Sequence, residues 1–474
     1  MQSEELMELA ARIKKDRCET RTIEVKAAAE GCPKKLYGTM SAFSNQDGGG
    51  IIIFGIDEKR RFEAVGFYDP QDLIHKVAEQ CKEMEPVLRP LFTTCDVNGK
   101  VLVSAEFPGI ELTQRPVYYK GAGRVRGSYI RVGEADEPMT DYEIYSYEAY
   151  RKRIHDDIRT VEDTNVSQLD PVLIDKFLAL SKAEKHNLAK LSDGEISGLM
   201  GVTAKDKLTL SGVLCFHKYP QSIFPQLCIT AIVVPGNSVG DIGASGERFT
   251  DNKRIEGTIP QMLEEAILFV GRNMKKMTII DRDGRRSDRE EYPIIAVREA
   301  VLNALMHRDY SIHTEGAPIR LILYGDRLEI INEGGLYGRL TLKTLGTGSV
   351  DTRNPKLANI LEIMKTAENR YSGIPTIKSE MKKHGLPEPI FEDSRGRFCV
   401  TLKNSAANFA ADGLSGLLAF CSVPRNRDEI YAFIGKSPYY VMKKYVTPLL
   451  SSGKLRMTLP DKPKSKNQRY YSAV

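Results

Sequence analysis

The sequence predicts a multidomain α/β chain, with α+β character in its first third, and three observations carry that expectation. At 474 residues the chain exceeds what one ordinary core holds, so two to four domains are expected. Strand-length apolar runs such as Ile51-Ile-Ile-Phe54 alternate with helix-period stretches, the pattern of sheets covered by helices. Charge is uneven: the segment from Cys421 onward is formally +8 and the remainder about −3, so the net +5 conceals a basic C-terminal region.

With 28% charged and 41% hydrophobic residues the composition is globular rather than disordered, and no apolar run approaches membrane length. The start, Met1-Gln-Ser-Glu-Glu-Leu, lacks the basic-then-apolar layout of a secretion signal, so a cytoplasmic location with no membrane partner is expected. The 8 cysteines are scattered without a C-x-x-C pair or zinc spacing, and reduced thiols are expected.

In the first third, residues 4–16 have helical periodicity and Glu19–Lys26 alternates like a strand. A helix over Lys34–Asn45, the turn Gln46-Asp-Gly-Gly-Gly50 and a buried strand over Ile51–Ile56 follow. Three glycines before an apolar strand fit a plain tight turn or a phosphate-contacting loop equally well. Strands are expected at Val101–Phe107 and Ser128–Val132. Tyr118, Tyr119, Lys120, Arg124, Arg126 and Arg131 lie around their connection, a mixture that suits either a nucleic-acid backbone or a solvated loop.

Glu24-Val-Lys26, Met40-Ser-Ala-Phe-Ser-Asn45, Gly48-Gly-Gly50, Ile53-Phe-Gly-Ile-Asp57 and Tyr129-Ile-Arg-Val-Gly133 together resemble the Schlafen-type, Alba-like DNA-binding domain. The resemblance implies nucleic-acid contacts from Lys26, Arg124, Arg126 and Arg131. In some Schlafen-related proteins the domain is a nuclease, whose metal-binding acids would here be Glu19, Glu24 and Asp57. Glu19 and Glu24 have opposite parity in a regular strand, so a shared site requires a bulge or turn between them.

The first domain is expected to end near 155, with a helical linker over 156–200. Strands are expected at Leu210–Phe216 and Leu227–Val234, and a helix at Ile259–Arg272. No catalytic constellation is visible between 165 and 290.

Residues 298–310, Arg-Glu-Ala-Val-Leu-Asn-Ala-Leu-Met-His-Arg-Asp-Tyr, read as an apolar helix on which Glu299 and Asn303, one turn apart, share a face. A buried amide in such sequence needs a hydrogen-bond partner or costs ~1–3 kcal/mol. A hairpin follows around Gly325-Asp326, its second strand ending in Asn332-Glu-Gly-Gly335. Next come Gly346-Thr-Gly-Ser349, a helix from Pro355, a helix opened by Ser372-Gly373, and a strand at Arg397–Leu402. Helix, strands, a glycine-containing segment and a glycine-started helix is the order of a nucleotide pocket with a closing loop.

This order resembles the GHKL ATPase fold, an α/β sandwich, and more closely the divergent ATP-binding domain that follows a Schlafen-type domain in bacterial and archaeal regulators. The likeness covers 201–404. It implies ATP and Mg²⁺ as cofactors, Asn303 as the metal ligand, Glu299 as the catalytic residue orienting or deprotonating water, and Asn332, Gly334, Gly335, Gly346, Thr347, Gly348 and Gly373 as nucleotide contacts. Asn332-Glu-Gly-Gly335 stands where those proteins carry Asp-x-Gly-x-Gly. The amide and carboxylate chemistry is reasonable on its own terms, since an amide oxygen suits magnesium and a carboxylate one turn away can polarise water.

After an Ala/Ser/Gly-rich tether over 405–420, residues 421–474 read as helix, turn, helix and a basic two-stranded wing, the winged-helix order. Tyr439, Lys443 and Lys444 on the second helix and Lys464 and Lys466 on the wing are the expected nucleic-acid contacts, with DNA or RNA as partner. A protein-binding winged helix is the alternative.

Two functions are therefore expected. One is a nucleotide-regulated DNA-binding protein of transcriptional type that hydrolyses ATP slowly, as a homo-oligomer; the other is a metal-dependent nuclease acting in defence. A helicase motor is disfavoured, because Gly435-Lys436-Ser437 has Ile430 where G-x-x-x-x-G-K-[ST] requires its first glycine.

Overall fold

A computed structural model describes the chain except for positions 68, 244, 281–285, 348–350, 367–371, 395, 405–414, 422, 435–437, 464, 466–467 and 473–474. It is a mixed α/β architecture in two compact units, Met1–His155 and Asp156–Val474.

In the first unit, helix α1 (Ser3–Asp16) precedes strand β1 (Ile23–Lys26), helix α2 (Tyr37–Ser44), strand β2 (Gly50–Phe54), helix α3 (Pro70–Lys82), the hairpin β3 (Leu91–Val97) and β4 (Lys100–Phe107), the hairpin β5 (Tyr129–Val132) and β6 (Ala135–Pro138), and helix α4 (Asp141–Lys152). The main sheet runs β1-β2-β4-β3, with β1 and β2 parallel and the other pairs antiparallel. Strand β2 shows why its sequence is continuously apolar. Side chains alternate across a strand, so Ile52 and Phe54 enter a core with Met40, Phe43 and Val77, while Ile53 enters another with Leu6, Ile13 and Val25. The glycine turn before it packs tightly: a Cβ on Gly49, whose φ is +62°, would lie 2.1 Å from the Phe107 carbonyl oxygen.

The second unit holds α5 (Pro171–Glu184), α6 (Asp193–Met200), α7 (Leu210–Phe216), β7 (Ile229–Val233), β8 (Asp251–Ile255), α8 (Ile259–Asn273), α9 (Ile294–His307), β9 (Ile319–Leu323), β10 (Arg327–Glu333), α10 (Pro355–Ile363), α11 (Gly373–Lys383), β11 (Ile390–Ser394) and β12 (Arg397–Lys403). Its six-stranded sheet has the order β8-β7-β9-β10-β12-β11, with β7 and β9 parallel. One face, through Leu321, Leu323, Leu328, Ile330, Val400 and Leu402, meets the helices in a large core; the other carries a small cluster around Val234, Ile322 and Tyr324. Helix α9 presents Ala296, Ala300 and Ala304 to this core, small side chains that allow close approach.

Two sequence expectations change here. Residues 210–216 form a helix, not a strand: all seven are buried, so no periodicity distinguishes the two, and the Thr209 hydroxyl accepts the Gly212 N–H (3.0 Å) as an N-cap. The stretch expected as a linker, 156–200, contributes Val161, Leu169, Phe177, Ile196 and Met200 to the large core.

At the C-terminal end, α12 (Ser415–Phe420), α13 (Arg427–Ile434) and α14 (Pro438–Val441), which continues through a π-type turn over Met442–Val446 into Thr447–Ser451, are followed by the antiparallel pair β13 (Leu455–Met457) and β14 (Tyr470–Ser472). They share a core of Leu417, Ile430, Val441, Val446, Leu449 and Tyr470.

Candidate functional site

The end of β10 and the helices α9 and α11 enclose a cavity. Periodicity places Glu299, Asn303 and His307, at i, i+4 and i+8, on one face of α9, and all three line it. Their floor is continuous with the sheet through Asn332, Phe398 and Val400. Asn332 and Phe398 are directly paired across β10 and β12, which puts their side chains on the same face. Gly334, Gly335, Gly346 and Gly373 also line the cavity, as do Tyr337, Asp351 and Arg353.

The first turn of α11 meets the carboxylate and amide directly. A Cβ on Gly373 would lie 3.0 Å from Asn303 Nδ2, 3.2 Å from its Oδ1 and 3.2 Å from Glu299 Oε2. A methyl at this position would require Asn303 and Glu299 to give by a few tenths of an ångström. Asn303 Nδ2 is buried and has no hydrogen-bond partner among the described residues. An unsatisfied buried amide costs about 1–3 kcal/mol, and here it sits on the cavity wall beside a helix N-terminus, where an anion is favoured.

The glycine turn after β10 is clamped. Gly334 has φ +95°, and a Cβ there would lie 2.6 Å from both Arg353 Nη1 and the Asp309 nitrogen. Arg353, 6% exposed, pairs with Asp309 at 2.5 Å, donates to the Gly335 carbonyl at 3.2 Å and lies over the Tyr337 ring at 5.1 Å. Asp393 accepts the Leu336 N–H at 3.2 Å from the other side. Asn354, fully buried, donates to the Met306 and Arg308 carbonyls, each at 2.9 Å, tying the C-terminal end of α9 to the start of α10.

Of the nucleotide residues expected from sequence, Glu299, Asn303, Asn332, Gly334, Gly335, Gly346 and Gly373 converge on this cavity. Thr347 is exposed and its hydroxyl donates back to Thr344 at 2.9 Å; it is not among the lining residues. Gly348 lies outside the described residues. Sequence reasoning gave no role to Arg353, Asp309 or Tyr337; the signal for the first was the run Arg353-Asn-Pro355 just ahead of a helix.

In the first unit the acids take up other partners. Glu24, 7% exposed, receives Arg131 Nη2 at 2.7 Å and Lys26 Nζ at 2.5 Å. Arg131 also binds Asp136 at 2.8 Å, and its guanidinium lies over the Phe43 ring. It is 3% exposed and so knits β5 and β6 to β1 rather than facing a nucleic acid from the surface. Asp57 accepts the Lys59 N–H at 2.9 Å and lies 3.5 Å from Arg60. The turn that a shared Glu19/Glu24 site requires is present: Thr20 and Ile23 bond each other's backbone, and the Glu19 carboxylate folds back to accept the Val25 N–H at 2.7 Å. Burial, helped by the Glu24 and Glu58 charges, raises the Glu19 pKa to about 7. Among the described residues, no three His, Cys, Asp or Glu side chains are grouped to hold a metal. Arg124 pairs with Glu148, and Arg126 is exposed.

On the last helix Tyr439 is 74% exposed and Tyr440 38%. Lys443 and Lys444, one turn on, place their ammonium groups 5.5 and 5.1 Å from those ring centres, and Lys444 donates to the Tyr440 hydroxyl at 2.7 Å. Lys464 and Lys466 lie outside the described residues.

Comparison with known proteins supplies the class first. Residues 19–140 match the family described as "Schlafen, AlbA_2", and residues 316–402 match "Putative ATP-dependent DNA helicase recG C-terminal", a stretch that begins after α9. The chain carries a Schlafen/AlbA_2-type domain followed by an ATPase-type domain of the recG C-terminal kind. Among solved structures, it is similar to the DIP2311 protein from Corynebacterium diphtheriae, with 17% identity over 92% of this chain and 88% of that one and a TM-score of 0.40. It is also similar to the N-terminal domain of the "Putative ATP-dependent DNA Helicase RecG-related Protein" from Nitrosomonas europaea, with 26% identity over 28% of this chain and 92% of that one and a TM-score of 0.23. No curated protein matches the chain. Among the described residues no helix is long and apolar enough to cross a membrane.

Proposed function

We propose that this chain is an ATP-binding, nucleotide-regulated DNA-binding protein of transcriptional type. The observation that carries the reading is the Asn303 amide, whose Nδ2 is buried on the wall of a cavity with no hydrogen-bond partner among the described residues and is faced by the glycine that begins α11. Turning the amide presents Oδ1 to the same space, so the residue suits Mg²⁺, a hard cation that takes oxygen ligands. When bound, the ion neutralises phosphate charge. Glu299 stands one turn away and would orient the attacking water or accept its proton. The N-terminus of α11 would offer backbone N–H groups to phosphate, whereas the Gly334 N–H is already donated to the Gly396 carbonyl. Asn332, a neutral amide, replaces a carboxylate at the strand end. Regulation rather than rapid turnover fits this site.

The exposed Tyr439, Tyr440, Lys443 and Lys444 follow α13 and precede the β13–β14 pair; read as the second helix of a winged helix, this stretch would contact the duplex backbone. Binding and turnover of labelled ATP by wild type, Glu299→Gln and Asn303→Ala test the pocket. The expected result is lost binding in Asn303→Ala and retained binding without turnover in Glu299→Gln; wild type that never binds ATP would sink the reading. Gel-shift titration with and without Mg-ATP tests regulation, and identical DNA affinity in both would remove it.

A second reading, a metal-dependent nuclease, is favoured by one observation: the Thr20–Ile23 turn sets the Glu19 carboxylate back against the strand that holds Glu24. RNA, tRNA and DNA incubated with Mn²⁺ or Mg²⁺ test it. Cleavage that persists in Glu24→Ala would take these acids out of the chemistry.

A further inference from the structure

Helix α10 begins where the cavity wall ends, and its N-terminus is capped from far away in the chain. Asn354, which occupies the N-cap position, makes no side-chain cap of its own; its amide donates to the carbonyls of Met306, in the last turn of α9, and of Arg308, its C-cap. The cap comes instead from Asp157. Its Oδ2 accepts the N–H groups of Lys356 at 2.7 Å and Leu357 at 3.0 Å, although 199 and 200 residues separate the partners. Asp157 is 1% exposed, so its charge meets the helix N-terminus with little screening, where charge-assisted bonds are strongest. Two residues further on, Arg159 pairs with Glu315, in the turn whose Thr314 and Ala317 carbonyls receive Arg308 at 3.0 and 2.8 Å. The segment 157–159 therefore grips both sides of Arg308-Asp309, and Asp309 is the partner of cavity-lining Arg353.

We infer that Asp157 is a positioning residue of the cavity: by holding the first turn of α10 it sets Arg353 and Asn354, and through them the Gly334-Gly335 turn and the end of α9. The inference rests on the nucleotide reading above for what fills the cavity, and on geometry alone for the positioning. Its functional consequence is regulatory. The segment that grips α10 directly follows the Schlafen-type unit, which ends at His155. Any event that pulls on 156–159 loosens the turn that contacts nucleotide, and by reciprocity nucleotide in the cavity tightens the segment.

The test uses the full chain, with hydrogen exchange and Mg-ATP titration on wild type, Asp157→Asn, Asp157→Ala and the control Asp170→Ala. Asp170 caps α5 in the same manner, accepting from Val172 and Leu173, and takes no part in the cavity. The expected result is faster exchange at 354–358 and at 334–336 in Asp157→Ala, with Mg-ATP affinity down at least about tenfold. Asp157→Asn, which keeps an acceptor oxygen, should fall between it and wild type; Asp170→Ala should leave affinity and exchange at 334–336 unchanged. Mg-ATP should slow exchange at 156–159 in wild type. Asp157 variants whose exchange at 334–336 matches wild type overturn the positioning role, whatever the ligand. If exchange responds as expected and Mg-ATP binds wild type with no difference between variants, the coupling is overturned. A wild type that binds no Mg-ATP overturns the nucleotide reading instead, and the exchange arm still decides the positioning.

Discussion

Gly373→Ala separates the two things the start of α11 does. Its φ is not in the left-handed region, so alanine meets no backbone strain, and within a helix alanine is preferred over glycine by up to ~1 kcal/mol. On backbone conformation alone the substitution is neutral or favourable. The added methyl, however, would stand 3.0–3.2 Å from Asn303 Nδ2, Asn303 Oδ1 and Glu299 Oε2, so those side chains must shift by a few tenths of an ångström and the space between helix and pair closes. Overpacking of this kind costs about 1–3 kcal/mol; where Asn303 and Glu299 swing aside in the free protein but are held in place by ligand, it falls on the bound state and corresponds to a loss of about 5- to 150-fold in affinity. Thermal melting and calorimetric titration with Mg-ATP on the same preparation read both quantities. An unchanged Kd would refute the claim that ligand passes between Gly373 and Asn303; a fall of several degrees in Tm without ligand would show that Gly373 is there for packing.

Other substitutions discriminate among the remaining elements. Gly334→Ala combines φ +95° with a Cβ 2.6 Å from Arg353 and from the Asp309 nitrogen, and denaturant unfolding should show a loss of about 2–4 kcal/mol. Arg353→Met leaves Asp309 buried without its ion-pair partner, and the loss should reach about 3–5 kcal/mol. Glu19, with its pKa raised to about 7, binds a proton more tightly folded than unfolded. Wild-type stability should therefore decline as pH rises from about 4.5 to 7 relative to Glu19→Gln, whose amide oxygen can still accept from Val25; parallel pH profiles of unfolding midpoints would refute it. Lys443→Ala and Lys444→Ala should each weaken DNA binding uniformly across sequences and lower the log K against log salt slope by about 0.9 per lost phosphate contact, and an unaltered slope would put the duplex elsewhere.

The sequence by itself determined whatever depends on neighbours within a turn or a strand. The four-residue spacing places Glu299 and Asn303 on one face, the Gly325-Asp326 pair turns the hairpin, and the glycine before Ile374 starts a helix. It erred where burial is complete, as at 210–216, because a segment surrounded by core has no polar face to reveal its period. It also could not say which charges are spent. Arg131 reads as a surface cation beside tyrosines, yet Glu24 and Asp136 enclose it; Tyr439 and Lys443 read alike and do face solvent. Only the tertiary structure decided that Gly373 faces the Glu299 and Asn303 pair, that Arg353 reaches Asp309, and that Asp157 caps a helix 199 residues away. Contacts of that sequence separation leave no periodic trace, since nothing in the local chain registers a partner that only folding brings within hydrogen-bond distance.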